Sequence, residues 1–245
     1  MQLPLPVSLP VHETFNSFVE GVNGEAVNVL KRITQSLSHA SNGNEHLDLQ
    51  SLSMPMVLLR GGAATGKSHL LFSVCHRLAR AEIAHLYLNL DDASQWVPSV
   101  LEGLESLPVI CLDNIDSVAG DPLWEEALFD LFNKVIEKSN SLVICTQRMT
   151  DMPVDFVLPD LASRLSWGVT YHLKPLNDEG REKALRLRAS QKGLSLSEQA
   201  LQFLLHHSDR TITNLVSLLD RLDSRSLQEQ KKLSVAMVKR ELNLP

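Results

Sequence analysis

Residues 56–68 read MVLLRGGAATGKS. A short apolar run, Met56–Leu59, passes directly into Gly61-Gly62-Ala63-Ala64-Thr65-Gly66-Lys67-Ser68, which fits G-x-x-x-x-G-K-[ST]. An apolar strand before this octet and a helix through about Arg80 after it are what the chemistry requires. Glycines let backbone N–H groups turn inward around a phosphate, and the helix N-terminus adds positive dipole. Lys67 reaches the β/γ-phosphate oxygens, and the Ser68 hydroxyl is placed to ligate Mg²⁺.

Outward from this stretch, short apolar runs alternate with longer amphipathic ones, the signature of a parallel sheet covered by helices. Further strands are expected at Ala84–Asn89 (AHLYLN), Val109–Leu112 (VICL), Leu142–Thr146 (LVICT) and Val169–Leu173. Between the third and fourth, the apolar pairs Leu123/Trp124, Ala127/Leu128, Leu131/Phe132 and Val135/Ile136 recur every four residues, one broad helical stripe. Upstream, a helix is expected from about Glu25 to Ser36, then a polar surface loop over Ser38–Ser53. After Pro175 the strands stop. Helices are expected over about Asp178–Gln191, from a capping box Ser195-x-x-Glu198, over about Thr211–Ser224 and over about Ser234–Leu242.

The charge distribution breaks at the same place. Of 23 Lys+Arg and 29 Asp+Glu, residues 175–245 carry 12 and 9, leaving residues 1–174 strongly acidic. A net charge of −6 gives no overall basic field for duplex DNA or an anionic membrane. Residues 1–11, MQLPLPVSLPV, hold three prolines and no charge, and are expected to be an extended tail. The organisation read from sequence is therefore a tail (1–11), an α/β nucleotide-binding domain (12–175) and a small helical domain (176–245). Cys75, Cys111 and Cys145, an odd number set among apolar residues, read as reduced core residues of a cytoplasmic protein. The chain has no apolar run near the roughly 18 residues of a membrane span, so no membrane partner is expected.

Three further positions carry chemistry. Asp113 ends a buried strand, where a P-loop protein holds Mg²⁺, although a strand-end Asp also caps turns. The next residue is Asn114, which cannot accept a proton from an attacking water, so intrinsic hydrolysis is expected to be slow, with Asp116 a candidate substitute base. Thr146 emerges beside the P-loop strand, where it reads equally as a γ-phosphate sensor and as a residue of high β-propensity. Arg164, in Leu161-Ala162-Ser163-Arg164-Leu165, precedes a strand and reads either as a solvated surface residue or as an arginine finger for a neighbour's nucleotide.

With these motifs in order, the chain resembles the AAA+ ATPases, and in detail the DnaA family. The stretches CLDNIDSVAGDPLWEEALFDLFN, LPDLASRLSWG and LRLRASQKGLSL are similar to a DnaA homologue that inactivates the replication initiator. The resemblance implies an AAA+ fold with a helical lid and phosphate binding on Gly61–Ser68. It implies Mg²⁺ on Ser68 and Asp113, sensor 1 at Thr146 and a finger at Arg164. It also implies that Phe15 and Phe18, within a strand and turn at residues 14–23, contact the nucleotide base, though their spacing equally suits the core. Gln2-Leu3-Pro4-Leu5-Pro6 resembles the family's peptide for the DNA polymerase sliding clamp, which makes Gln2, Leu3 and Leu5 the expected anchors. Thr213 stands where relatives carry the sensor 2 arginine, with Arg210 the nearest cation; this departure favours bound ADP. Both a monomer and a homodimer are compatible with the sequence. DnaA proteins continue into a helix-turn-helix domain beyond the point where this chain stops, so sequence-specific DNA binding is not expected. The function implied is a regulator that docks on the clamp and stimulates hydrolysis of DnaA-bound ATP. An autonomous ATPase acting as helicase loader, or a P-loop kinase, are the other readings.

Overall fold

The computed structural model describes residues 9–41, 55–151, 154–194, 196–207, 211–229 and 233–242. They form two compact units. One comprises the segment up to Phe15 with Asn23–Lys174, the other Asn16–Val22 with the residues from Pro175 onward.

The first unit is a five-stranded parallel sheet of β1 (Met56–Gly61), β2 (His85–Asn89), β3 (Val109–Asp113), β4 (Leu142–Arg148) and β5 (Val169–Leu173), in the order β2-β3-β4-β1-β5. Its helices are α1 (Gly24–Ser41), α2 (Lys67–Arg80), α3 (Pro122–Lys138) and α4 (Pro159–Trp167). Because β4 lies between β1 and β3, Thr146 pairs in register with Leu59, and the end of β4 stands between the P-loop and Asp113. The strands read as continuous apolar runs because both faces are covered. Leu58, Ile110, Leu112, Val143 and Cys145 pack with Leu128, Leu131 and Phe132 of α3 and Leu161 and Leu165 of α4. The three cysteines are buried free thiols.

β1 and β4 run past the expected apolar stretches to Gly61 and Arg148, since ladder pairing continues through polar residues. Helix α4 has no counterpart in the sequence reading. It is short, opens with Pro159 in its first turn, and buries only Leu161 and Leu165, one turn apart. Residues 14–19 form a turn and irregular backbone rather than the expected strand. No sheet edge pairs with them, and Phe15 is instead buried near α1, with Lys31 Nζ 6.0 Å from its ring centroid.

Asn23, itself buried, donates from Nδ2 to the Lys174 carbonyl (2.9 Å) and accepts from the Lys174 N–H (2.8 Å). This pair fastens the residue at which the chain re-enters the first unit to the last residue before the chain leaves it at Pro175.

The second unit holds α5 (Asp178–Gln191), α6 (Glu198–His207), α7 (Ile212–Glu229) and α8 (Val235–Glu241) around Leu185, Leu201, Leu204, Leu218, Leu219 and Val238. Asn177, Ser197 and Ser234 cap α5, α6 and α8 by accepting from Gly180, Ala200 and Met237 N–H groups. The cap of α6 is thus Ser197, one residue before the helix, and the expected box partner Ser195 lies outside the described residues. Among the described residues no helix is long and apolar enough to cross a membrane.

Candidate nucleotide site and finger helix

The octet after β1 turns through Ala64 (φ 57°) and Gly66 (φ 89°), both left-handed, before α2 starts at Lys67. Gly66 suits that backbone because it has no Cβ to clash. Gly61 has a different reason: a Cβ there would lie 2.5 Å from Thr65 Oγ1 and 2.9 Å from the Leu173 carbonyl oxygen. Any side chain at 61 would push β5 or the loop away. At Gly62, by contrast, a Cβ would meet nothing within 4 Å. The Lys67 ammonium is buried and donates to the Gly61 and Gly62 carbonyls at 2.9 and 2.8 Å. Burial lowers its pKa, and the charges of Asp113 and Asp116 oppose that shift. Ser68 follows, half-buried, in the first turn of α2.

Asp113 is almost fully buried, and hydroxyls reach both of its carboxylate oxygens. Tyr87 donates to Oδ2 (2.8 Å) and Thr146 to Oδ1. The Tyr87 phenol is pushed up, by burial first and by the Asp113 charge second, so it remains a donor. Thr146 Oγ1 also accepts the Asn114 N–H at 2.8 Å. Thr146 thus links the Asp113 carboxylate to the backbone of the following residue.

Asn114 (φ 57°) turns its amide onto Asn89 Oδ1 at 2.9 Å. Asp116, the candidate substitute base, is held by Arg148, whose N–H reaches Oδ1 (2.9 Å) and Nε reaches Oδ2 (2.6 Å). Arg148 also pairs with Asp91 at 2.9 Å, and the Asp116 bond raises its pKa. A carboxylate with both oxygens engaged by one guanidinium and an amide is poorly placed to take a proton, which argues against the substitute role.

Arg164 lies on α4, half-buried, with its guanidinium carbon 4.4 Å from the Trp167 ring centroid and 5.9 Å from that of Phe129. Rings orient it without neutralising it, and no carboxylate among the described residues pairs with it. The start of α4 is fixed from α3. Glu125, fully buried, accepts from the N–H groups of Gly120 (2.7 Å), Val157 (3.1 Å) and Leu158 (2.6 Å). Leu158 is the α4 cap and its own side chain cannot accept a hydrogen bond, so Glu125 supplies acceptors that the local sequence lacks.

Tyr87, Glu125 and Arg148 are the residues that sequence reasoning missed. Glu125 was open to detection, since it interrupts the buried stripe Trp124, Leu128, Leu131, Phe132. Tyr87 and Arg148 offered no comparable signal, because their partners come from distant segments, Asp113 of β3 for Tyr87 and Asp116 and Asp91 in the turns after β3 and β2 for Arg148.

The remaining expected residues are dispersed. Phe15 belongs to the first unit and half-buried Phe18 to the second. Thr213 is exposed in the first turn of α7. Gln2, Leu3, Leu5 and Arg210 lie outside the described residues. Pro10 and Thr14 present carbonyls to His76 Nε2 (2.9 Å) and His69 Nε2 (3.0 Å), two turns apart on α2. Among the described residues no cluster of three or more His, Cys, Asp or Glu side chains forms a metal site.

Residues 178–242 match the family model described as Hda, lid domain. Over the whole chain the fold is similar to domain III of the Thermotoga maritima replication initiation protein DnaA, with a TM-score of 0.75, 21% identity, and 96% of this chain and 97% of that one covered. It is also similar to AMPPCP-bound DnaA from Aquifex aeolicus (TM-score 0.67, 19% identity, 90% and 67% covered). RuvB of Thermotoga maritima is a more distant likeness (TM-score 0.61, 15% identity, 88% and 68% covered).

Proposed function

We propose that this chain is a DnaA-related AAA+ protein, a cytoplasmic regulator of replication initiation that binds an adenine nucleotide and acts on ATP held by DnaA; the lid match over residues 178–242 and the DnaA-like fold support this reading. The observation that carries this reading is the contrast around hydrolysis. The position after Asp113 holds an amide bound to Asn89, the neighbouring Asp116 is occupied by Arg148, and Arg164 remains without a carboxylate on a surface helix.

The cradle fits a nucleotide phosphate. It has a buried lysine on exchangeable carbonyls, open space at Gly62 and a 14-residue helix beginning at Lys67. The adenine base preference comes from the AMPPCP-bound relative, with Phe15 and Phe18 proposed beside the base. Ser68 and Asp113 would hold Mg²⁺, which supplies charge neutralisation at the phosphates. Thr213 in place of a lid cation favours ADP as the resident nucleotide. Lys67 would exchange its two carbonyls for phosphate oxygens, and Thr146 would keep Asp113 oriented. Arg164, supplied in trans, would stabilise charge on the phosphoryl group being transferred from the partner's ATP.

The clamp contact is assigned to Gln2, Leu3 and Leu5. Support comes from the anchoring just beyond them, where His76 and His69 hold the chain at Pro10 and Thr14 along α2. The test is turnover of ATP by the purified chain alone, and then with DnaA and clamp. Hydrolysis that appears only with DnaA-bound ATP supports the regulator. Steady turnover alone, at the roughly 1 to 10³ per second of ordinary enzymes, overturns it in favour of an autonomous ATPase such as a loader. Replacing Gln2, Leu3 and Leu5 with Ala should abolish clamp co-elution with nucleotide binding intact.

A further inference from the structure

β1 is flanked by strands on both sides and covered on both faces, so its residues are expected to be apolar throughout. Position 60 departs from this. Arg60 stands in register with Gln147 on β4 and His172 on β5, so three neighbouring strands carry a polar row across the α3–α4 side of the sheet, one step beyond Leu58 and Cys145. Gln147 is buried and accepts from Arg60 Nε at 2.6 Å. No carboxylate among the described residues pairs with Arg60.

In front of this row lies a cavity of about 270 Å³, walled on its apolar side by Met149, Phe156 and Leu165. Arg148 also borders it, but Asp116 and Asp91 meet that charge. Among the described residues no acidic side chain lines the cavity, and Asp151 and Asp155 of the bordering loop are not part of its wall. A half-buried guanidinium inside a sheet is stabilised by a counter-charge or by hydrogen bonds, and among the described residues a single side-chain acceptor, Gln147, meets it. A break in local pattern without internal compensation points to a ligand. The cavity opens at the carboxyl ends of parallel strands, where α/β sheets bind ligands.

We infer that this cavity is a second binding site, distinct from the phosphate cradle, for a small organic anion: a carboxylate on a compact apolar body. Arg60 offers its guanidinium fork to the carboxylate and His172 a ring N–H, while Phe156, Met149 and Leu165 receive the body. The volume falls just below the usual range of ligand pockets, about 300–1,000 Å³, and suits a single ring. This assignment does not depend on the regulatory reading above.

The test uses the full chain and three probes, benzoate, benzamide and acetate, followed by ligand-observed NMR and by thermal unfolding. Benzoate is expected to bind and raise the melting temperature. Benzamide, lacking charge, and acetate, lacking the ring, should each bind at least about tenfold more weakly, the loss of one charge-assisted pair or of the apolar contact. Arg60→Met keeps the stem and removes the fork, so it should lose benzoate about tenfold or more. Arg60→Lys keeps charge without the fork and should fall between the two; it covers the case in which Arg60→Met fails to fold, and far-UV circular dichroism reports folding of both. No benzoate binding, equal binding of benzamide or acetate, or undiminished binding in a folded Arg60 variant overturns the proposal.

Discussion

In the candidate phosphate cradle the charged groups are met from within the same unit: Lys67 by two carbonyls, Asp113 by two hydroxyls, Asp116 by Arg148. On α4, Arg164 meets two aromatic rings and no carboxylate among the described residues, while the helix under it is anchored by the buried Glu125. The difference is one of electrostatic completeness. A satisfied site binds a ligand by exchanging partners already present, so its groups are costly to lose in binding but inexpensive to keep folded. A charge left unneutralised at a surface is available to something outside the unit, and what must be conserved is its aim. The two regions therefore make opposite forecasts for mutation.

The largest effect is expected at Arg164. If the proposed finger role holds, Arg164→Ala removes stimulation of DnaA-bound ATP hydrolysis by about 10³-fold or more while nucleotide and clamp binding stay unchanged. Arg164→Lys should recover little, because a point charge lacks the planar fork. Wild-type stimulation by the Ala variant would end the finger reading. A loss of melting temperature together with every activity would reduce Arg164 to a tether of Trp167.

Lys67→Met tests the satisfied region. With the ammonium gone, the nucleotide-dependent gain in stability, about 2.7 kcal/mol at a hundredfold excess over Kd, should disappear in thermal unfolding. Without nucleotide the variant should melt close to the parent, since relief of the buried charge offsets two lost hydrogen bonds. The sign with pH follows from the lowered Lys67 pKa. Between that value and the ordinary 10.5 the unfolded chain binds more protons than the fold, so stability rises with pH there, and the Met variant should flatten that rise.

Glu125 connects the two regions' logic. Glu125→Gln keeps one acceptor oxygen and turns an NH₂ toward backbone N–H groups that need acceptors, at a cost of about 2–3 kcal/mol. The expected signature is a lower melting temperature and weakened stimulation with nucleotide affinity preserved, because the displaced element is α4 rather than the cradle. Equal damage to nucleotide binding would show that Glu125 supports the whole unit.

How much of this was legible in the sequence divides along the same line. The strand–octet–helix of residues 56–80 and the strand ending at Asp113 were readable because each element is built from neighbours in sequence with a periodic apolar context. Helix α4 was not, since two buried leucines one turn apart fall short of a recognisable stripe, and its capping carboxylate comes from α3, 33 residues before Leu158. The Asp116–Arg148 clamp was equally hidden, because strand order brings residues 32 apart into contact. The α6 cap is Ser197, two residues after the expected Ser195, which lies outside the described residues. Thr146 lies on β4 as expected but two residues before its end, and its partner, the Asp113 carboxylate, is set by the insertion of β4 between β1 and β3.

The smallest expected effect is at Tyr87, and it separates structure from chemistry within the cradle itself. Its hydroxyl donates to an Asp113 oxygen that is only 1% exposed by residue, so Tyr87→Phe leaves a buried carboxylate oxygen one donor short while keeping the ring packed near Phe72, 4.8 Å between centroids. The loss of one hydrogen bond to a charged group should cost about 1.5 kcal/mol in thermal unfolding. If Tyr87 only fills the core, that is the whole effect. If instead its hydroxyl competes with a Mg²⁺-bound water for Asp113, removing it should strengthen the metal's contribution, and nucleotide affinity should become more dependent on Mg²⁺ than in the parent. Measuring nucleotide Kd with Mg²⁺ and with a chelator on both proteins distinguishes the two. An unchanged ratio assigns Tyr87 to packing, and a larger ratio in the Phe variant shows that its hydroxyl competes with the metal's water for Asp113.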